Sequence, residues 1–263
     1  MKPDTGSRSL SIILPYYNER NYISHTLHSL GQQSKHGFQL ILVDNASTDG
    51  SEEVARTVLA DYPDIDVLYF RQPVPGKIHA LDLGLSHVAT DFVATCDADT
   101  LYPDHYAATC LEMLAEPGIV AAMAIGLHTD ADSARSRKRI DKILRKSALF
   151  RFQCHAGGYA QAFRTSALLD AGGFSSPDWP FVLEDHEVVN RVLRQGRVAY
   201  RKDHFCFPSD RRADRRGVSW TWEERMVYRF TPGRLKDWFF YDFLAKRFER
   251  RGLVQTKLRE RNF

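Results

Sequence analysis

Acidic residues stand where a fold can most easily turn them into chemistry. Asp44 follows the apolar run Leu40-Ile41-Leu42-Val43, and Asp97-Ala98-Asp99 follows Phe92-Val93-Ala94-Thr95-Cys96. Carboxylates one residue apart beyond a buried strand can reach one divalent cation, directly or through water, and Mg2+ characteristically takes one or two carboxylates plus phosphate oxygens. Taken alone, Asp-x-Asp is a common turn or capping arrangement; its place after a strand gives it weight. Pro73-Val74-Pro75-Gly76-Lys77 opens a helix and offers backbone N–H groups and an ammonium to an anion, the bland alternative being a Pro/Gly loop with a solvated lysine. Glu184-Asp185 follows the stiff segment Pro177-Asp178-Trp179-Pro180-Phe181 and opens another helix. Acids cap helices there, yet one carboxylate could also serve as a general base, within about 2.6–3.2 Å of a hydroxyl.

The elements that must position these groups alternate. Leu10-Ser11-Ile12-Ile13-Leu14 reads as a strand stopped by Pro15, and Ile23, Leu27 and Leu30 keep helical spacing up to Gly31. A second strand spans 38–43, a helix starts at Ser51, a third strand spans 65–70, a helix covers 77–88, and a fourth strand covers 92–96. Strands alternating with helices predict a mostly parallel sheet with helices on both faces, and ligands at the carboxyl ends of its strands. Asp44, Asp97 and Asp99 therefore share one sheet edge. Beyond Pro103 the pattern predicts a helix through Leu111 and Leu114, a strand over 119–125, a charged helix over 134–150 and a short helix over 167–171. A helix over 184–193 and a strand over 197–200 complete it. One continuous domain over 1–263 is the simplest organisation, with a first half (9–100), a second half (101–205) and a basic, aromatic, helical extension (206–263).

Composition narrows the class. With 263 residues, 43% of them hydrophobic and 26% charged, the chain can bury a solid core, and no apolar run approaches the roughly 20 residues of a membrane span. The polar N-terminus lacks the apolar stretch of a secretory signal, so a cytoplasmic location is expected. Cys96, Cys110, Cys154 and Cys206 show no metal-ligand spacing and read as reduced, packed thiols. A Gly-x-Gly-x-x-Gly after the first strand and a Walker-type glycine loop are both absent, which withdraws support from dinucleotide oxidoreductases and P-loop NTPases. Residues 191–263 hold 20 Lys+Arg against 9 Asp+Glu, while residues 1–190 hold 16 against 24. An acidic body argues against nucleic acid as the partner.

Taken as a set, these residues resemble family 2 nucleotide-sugar glycosyltransferases. The likeness rests on Ser11-Ile12-Ile13-Leu14-Pro15-Tyr16-Tyr17-Asn18-Glu19, Val43-Asp44-Asn45-Ala46-Ser47-Thr48-Asp49-Gly50, Gly76-Lys77-Ile78-His79-Ala80-Leu81, Asp97-Ala98-Asp99 and Glu184-Asp185, in that order. It implies a GT-A fold and an inverting transferase that moves one sugar from a UDP- or GDP-linked donor to a hydroxyl acceptor, with Mg2+ or Mn2+, in cell-envelope polysaccharide or glycolipid synthesis. By that resemblance Pro15, Tyr17 and Glu19 line the nucleotide pocket, Asp44 bonds the base, and Lys77 lies near the nucleotide or its phosphates. Asp97 contacts ribose or metal, and Asp99 binds metal. Asp185 is the catalytic base, and Glu184 contacts acceptor or orients the loop. Gly157-Gly158 and Gly172-Gly173-Phe174 look like the acceptor-side framework. Asn45 and Asp82 depart from the common pattern, which more often has aspartate and asparagine there. A sugar-nucleotide pyrophosphorylase and an inactive nucleotide-sugar-binding protein are the competing readings. The first should carry a basic glycine loop where Pro15 to Glu19 stands, and the second should have lost an acid.

Three features of the tail carry open alternatives. Arg211 and Arg212 could close over the donor diphosphate or meet a phosphate on the acceptor, surface solvation being the alternative. His204 could complete a metal shell, although a lone histidine is more often structural. Trp238-Phe239-Phe240-Tyr241-Asp242-Phe243-Leu244, followed by Lys246, Arg247, Arg250 and Arg251, suits either a peripheral helix on anionic lipid, reaching a lipid-linked acceptor, or packing against the core or a second subunit.

Overall fold

The computed structural model describes residues 9–35, 37–209 and 220–254. Its first half follows the alternation in the sequence: β1 (Leu10–Tyr16), α1 (Ile23–Gly31), β2 (Gln39–Asp44), α2 (Ser51–Leu59), β3 (Asp66–Arg71), α3 (Lys77–Leu85) and β4 (Phe92–Thr95). Every residue of β1 and of β4 is buried, as expected of strands covered on both faces, whereas β3 at the sheet edge is half-buried. The helix α3 lies flush on β1: a Cβ on Gly84 would come within 2.5 Å of Ile13 Cγ2, so only glycine permits this approach.

The second half adds β5 (Thr100–Leu101), α4 (Tyr106–Ala115), β6 (Ile119–Gly126), α5 (Ala134–Leu149), β7 (Gln161–Arg164), α6 (Thr165–Asp170), α7 (Glu184–Val192) and β8 (Arg197–Pro208). The sheet order is β3-β2-β1-β4-β7-β6-β8-β5. Strands β3, β2, β1 and β4 run parallel, as do β6 and β8, while β7 runs antiparallel to both β4 and β6. The sequence pattern does not announce β7, whose four residues include two polar ones. Strand β8 runs well past Tyr200, because Arg201 and Asp203 in its charged stretch pair with each other at the surface while His204 turns inward.

The C-terminal part forms α8 (Trp222–Phe230), a single 3-10 turn (Gly233–Leu235), a π-helical segment (Trp238–Leu244) and α9 (Ala245–Arg251). Thr221 and Glu224 make a reciprocal capping box at the start of α8. Phe239, Phe240, Leu244 and Phe248 are fully buried against Trp179, Phe181 and Val182, in a hydrophobic cluster separate from the main core. The aromatic run is thus largely spent on internal packing; Trp238 alone among its large apolar residues stays markedly exposed. All four cysteines are buried and free. No helix among the described residues is long and apolar enough to cross a membrane.

Candidate active site

Three acids from distant segments, Asp97 and the adjacent Glu184 and Asp185, meet around one lysine. Gly76 precedes α3 at φ 132°, and from the helix start Lys77 Nζ pairs with Asp97 Oδ1, just beyond β4. Burial alone would lower the Lys77 pKa; the charges of Asp97, Glu184 and Asp185 outweigh it and raise it. Gly158 sits between Lys77 and the other pair. A Cβ there would lie 3.3 Å from Asp185 Cβ and 3.4 Å from Lys77 Nζ, so a side chain at this position would force the charges apart. Lys77, Asp97, Glu184 and Asp185 thus share one half-buried corner, beside a cavity of about 10 Å3 lined by Lys77, Thr95, Gly158, Gln161, Glu184 and Asp185, enough for roughly one water.

The two acids that open α7 have different environments. Asp185 Oδ2 accepts the Gly158 N–H at 2.9 Å; Oδ1 accepts the His186 N–H at 2.9 Å and lies 2.9 Å from His186 Nδ1. Burial pushes the Asp185 pKa up, but His186, these bonds and Lys77 together leave it below the ordinary carboxylate value. Glu184 is raised to about 7, by burial first and by the Asp185 charge second, against the pull of Lys77. Near neutral pH the corner therefore holds one firmly ionised carboxylate and one close to its midpoint. Leu183, just before them, adopts φ 65°, a left-handed conformation that is costly for a branched side chain.

The residues assigned to the nucleotide side lie at the ends of β1 and β2. Pro15 pairs with Val43 and Tyr16 with Asp44; Tyr17 is exposed, and Glu19 is buried beneath the loop that leads into α1. Asp44 is almost fully buried, its Oδ2 accepting from Arg71 Nη1 at 2.7 Å and its Oδ1 from the Ser47 N–H at 2.8 Å. Asn45 has a structural task. Its amide donates to the carbonyls of Gln72 (3.0 Å) and Val74 (2.7 Å), and its oxygen accepts the Gly76 N–H (2.9 Å), which staples the loop that delivers Lys77. An aspartate would set an anion against two carbonyls. Asn45→Asp is therefore expected to cost about 1–3 kcal/mol in chemical denaturation; unchanged stability would refute the staple. Asp82 acts likewise, its Oδ1 accepting the Ser175 N–H at 3.2 Å to tie α3 to the turn after Gly172-Gly173-Phe174.

Asp99 and Lys77 line different cavities. Asp99 lines a cleft of about 550 Å3 with Tyr22, His25, His128, Thr129 and Asp130, and its carbonyl accepts the Ser209 N–H at the end of β8. His204 does not join it. The imidazole is fully buried, stacks on Tyr106 at 5.1 Å, lies 3.7 Å from Cys110 Sγ, and is held neutral by burial, which lowers its pKa to about 3. Its charged neighbours are Arg201, Asp203 and His105, and its burial among Tyr106 and Cys110 favours the structural role over that of a metal ligand. Arg211 and Arg212 lie outside the described residues.

Several working residues escape a reading of the sequence. Thr95 Oγ1 donates to Gly158 O at 2.7 Å, and Tyr102 Oη accepts the Asp97 N–H and donates to Tyr159 O, both at 2.9 Å. These bonds fix the spacing between the two halves of the site. His186, adjacent to Glu184-Asp185, was the one signal within reach. Behind it stand Trp220 (5.4 Å) and Tyr228 (6.2 Å), and the Tyr228 hydroxyl accepts the Cys154 N–H at 2.9 Å.

The architecture, with its acid-lined sheet edge, defines a GT-A transferase fold. It aligns with the mannosyltransferase PcManGT from Pyrobaculum calidifontis, determined with GDP-Man and Mn2+, at TM-score 0.70 and 22% identity over 93% of this chain and 70% of that one. It also aligns with S. aureus TarS 1-349 bound to UDP-GlcNAc, at TM-score 0.61 and 16% identity over 92% and 73%. At these identities the likeness establishes the fold. Residues 11–170 match the profile of Glycosyl transferase family 2, and the chain belongs to that family. Among curated relatives, the teichoic acid poly(glycerol phosphate) polymerase of Staphylococcus epidermidis is 27% identical over 203 residues, 70% of this chain. A putative teichuronic acid biosynthesis glycosyltransferase, TuaG of Bacillus subtilis, is 36% identical over 94 residues, 34% of this chain. The chain spans 27% of the first relative's length and 35% of the second's.

Proposed function

We propose that this protein transfers one sugar, with inversion at the anomeric carbon, from a UDP- or GDP-linked donor to a hydroxyl acceptor of a cell-envelope polysaccharide or glycolipid. The observation that carries this reading is the meeting of Asp97 and Asp185 through Lys77, at the carboxyl edge of the sheet where β1 ends at Tyr16 and β2 at Asp44. A fixed cation beside a phosphate-facing edge and an ionised carboxylate beside a glycine-lined gap suit a reaction that pulls a proton from one side while negative charge grows on the other.

The acceptor oxygen bonds to the anomeric carbon as the bond from that carbon to the diphosphate oxygen breaks, and the diphosphate leaves with the electron pair. The proton goes to Asp185. Oδ1 already takes two contacts from His186, whereas Oδ2 takes only the Gly158 N–H and retains a lone pair, so Oδ2 is the accepting atom. Glu184, near its midpoint at neutral pH, can offer a hydroxyl to the acceptor without adding a full second charge. Lys77 holds Asp97 and balances the acids.

The donor set fits Mg2+ or Mn2+. Asp99, beside the open cleft, and Asp97, which also pairs with Lys77, would supply carboxylates, with diphosphate oxygens to complete the shell. A cation held there supplies charge neutralisation to the departing diphosphate. The Mn2+ that accompanies GDP-Man in the PcManGT complex supports the same choice. A screen of nucleotide sugars for nucleoside-diphosphate release is the direct test. With the preferred donor, chelator is expected to reduce release by about a hundredfold or more, and added Mg2+ or Mn2+ to restore it; full turnover in excess chelator would contradict the metal assignment. Retention of every acid in the cluster favours an enzyme over an inactive binding protein.

A further inference from the structure

Helix α5 is unusual in that only one of its sixteen residues, Ser136, is buried. Ile140, Ile143 and Leu144 give it a half-buried packing face. At 3.6 residues per turn, Arg135, Lys138, Arg139, Lys142, Arg145 and Lys146 all fall in one stripe on the other side, and Leu149 ends that stripe. The helix holds seven Lys+Arg and one acid, while the rest of residues 1–190 holds nine Lys+Arg and 23 Asp+Glu. Positive charge is thus concentrated on one face of an otherwise acidic body. The stripe continues onto α8: Lys146 is lowered by partial burial and by the charges of Lys142, Arg229, Arg225 and Arg139, so these cations are close neighbours. Arg229 lies 4.9 Å over the Phe150 ring, and Phe152 packs against Gly233.

Large apolar side chains stand exposed where the two helices end. Leu149 is 75% exposed, Phe230 68% and Phe152 54%. We infer that the basic stripe of α5, with Leu149, Phe152 and Phe230 at its end, is a docking surface for an anionic lipid bilayer. Charge complementarity selects the partner: each Lys or Arg near an anionic leaflet adds attraction, and the apolar side chains have hydrocarbon to enter, which a phosphate backbone does not offer. The acidic remainder of the body would turn the stripe toward such a surface. This differs from a membrane role for the run Trp238–Leu244, whose phenylalanines at 239 and 240 are buried. It rests on the transferase reading only for its purpose. The chain leaves α5 at Phe150 and runs directly to Gly157-Gly158, which touches Asp185, so docking here would bring a lipid-borne hydroxyl to the acceptor side.

Vesicle flotation of the full chain tests it, with phosphatidylcholine alone and with about one third phosphatidylglycerol. The expected result is binding to the anionic vesicles, weakened by high salt and absent on the neutral ones. Lys138→Gln/Lys142→Gln/Arg145→Gln should weaken it on the order of a hundredfold, and Leu149→Ser/Phe230→Ser about tenfold. Both variants should keep the wild-type melting curve and donor hydrolysis. Equal binding by wild type and the triple variant, no binding by wild type, or preference for a nucleic-acid competitor over the vesicles would overturn the inference. Donor hydrolysis is read separately, so failure of the transferase assignment would show as hydrolysis lost with vesicle binding intact. Truncating the C-terminal segment would not serve, because it dismantles the cluster behind α7.

Discussion

Replacing Asp185 by asparagine should slow sugar transfer about a hundred- to ten-thousandfold, the range for losing a general base, while donor affinity stays within about twofold. Asparagine is nearly isosteric, and its one oxygen can still accept the Gly158 N–H, so the loop should keep its shape, with the His186 N–H that Oδ1 now accepts left to lose its partner. What disappears is the charge and the atom that takes the proton. The neighbouring substitution separates the two acids. Glu184 is raised to about 7, so Glu184→Gln reproduces a state the wild type already visits at neutral pH and should cost about tenfold or less. Single-turnover transfer measured beside calorimetric donor binding checks both. Near-normal transfer in the Asp185 variant, or the reverse order of severity, would move the base elsewhere.

The first half of the fold was legible because its physics is local. β1, β2 and β4 are apolar runs, and parallel strands buried on both faces leave that pattern in any sequence; only the stop expected at Pro15 failed, because β1 carries its pairing through Pro15 to Tyr16. The acids at the strand ends followed from the same rule. The second half depends on contacts between distant segments. Strand β7 is four residues long and is made a strand by having β4 and β6 on either side; the outer half of β8 reads as a polar loop until Arg201 and Asp203 are seen to pair. His204 was open between completing a metal shell and a structural role, and its burial against Tyr106 and Cys110 favours the second. Asn45 looked like a departure from a pattern, and its reason lies in three hydrogen bonds to a loop 27 or more residues away. No periodicity encodes that. The aromatic run at 238–244 carried two readings of equal standing, and only its partners Trp179 and Phe181 distinguish them.

Those partners set the second large effect. Trp179 lies 5.4 Å from Phe240 at 87° and 5.7 Å from Phe248, the Val182 N–H donates to Leu253 O at 3.1 Å, and Leu183 packs on the same cluster. The C-terminal extension is thus the backing of the turn that presents Glu184 and Asp185. A leucine at φ 65° stays there only if its surroundings over-determine it, and this cluster is what surrounds it. Phe240→Ala removes a fully buried ring at its centre and should cost about 3–5 kcal/mol of stability. It should also act unevenly on function. β1, β2 and β4 belong to the main core, so the nucleotide side should survive, whereas Leu183 can relax and carry Asp185 away from Gly158. The expected signature, at a temperature where the variant remains folded, is a transfer rate reduced at least about tenfold with donor affinity within about threefold, since small misplacements of a reacting group are costly. Equal losses in affinity and rate would mean that the cluster supports the whole molecule. An unchanged rate in a destabilised protein would mean that the turn holds Asp185 without the extension behind it.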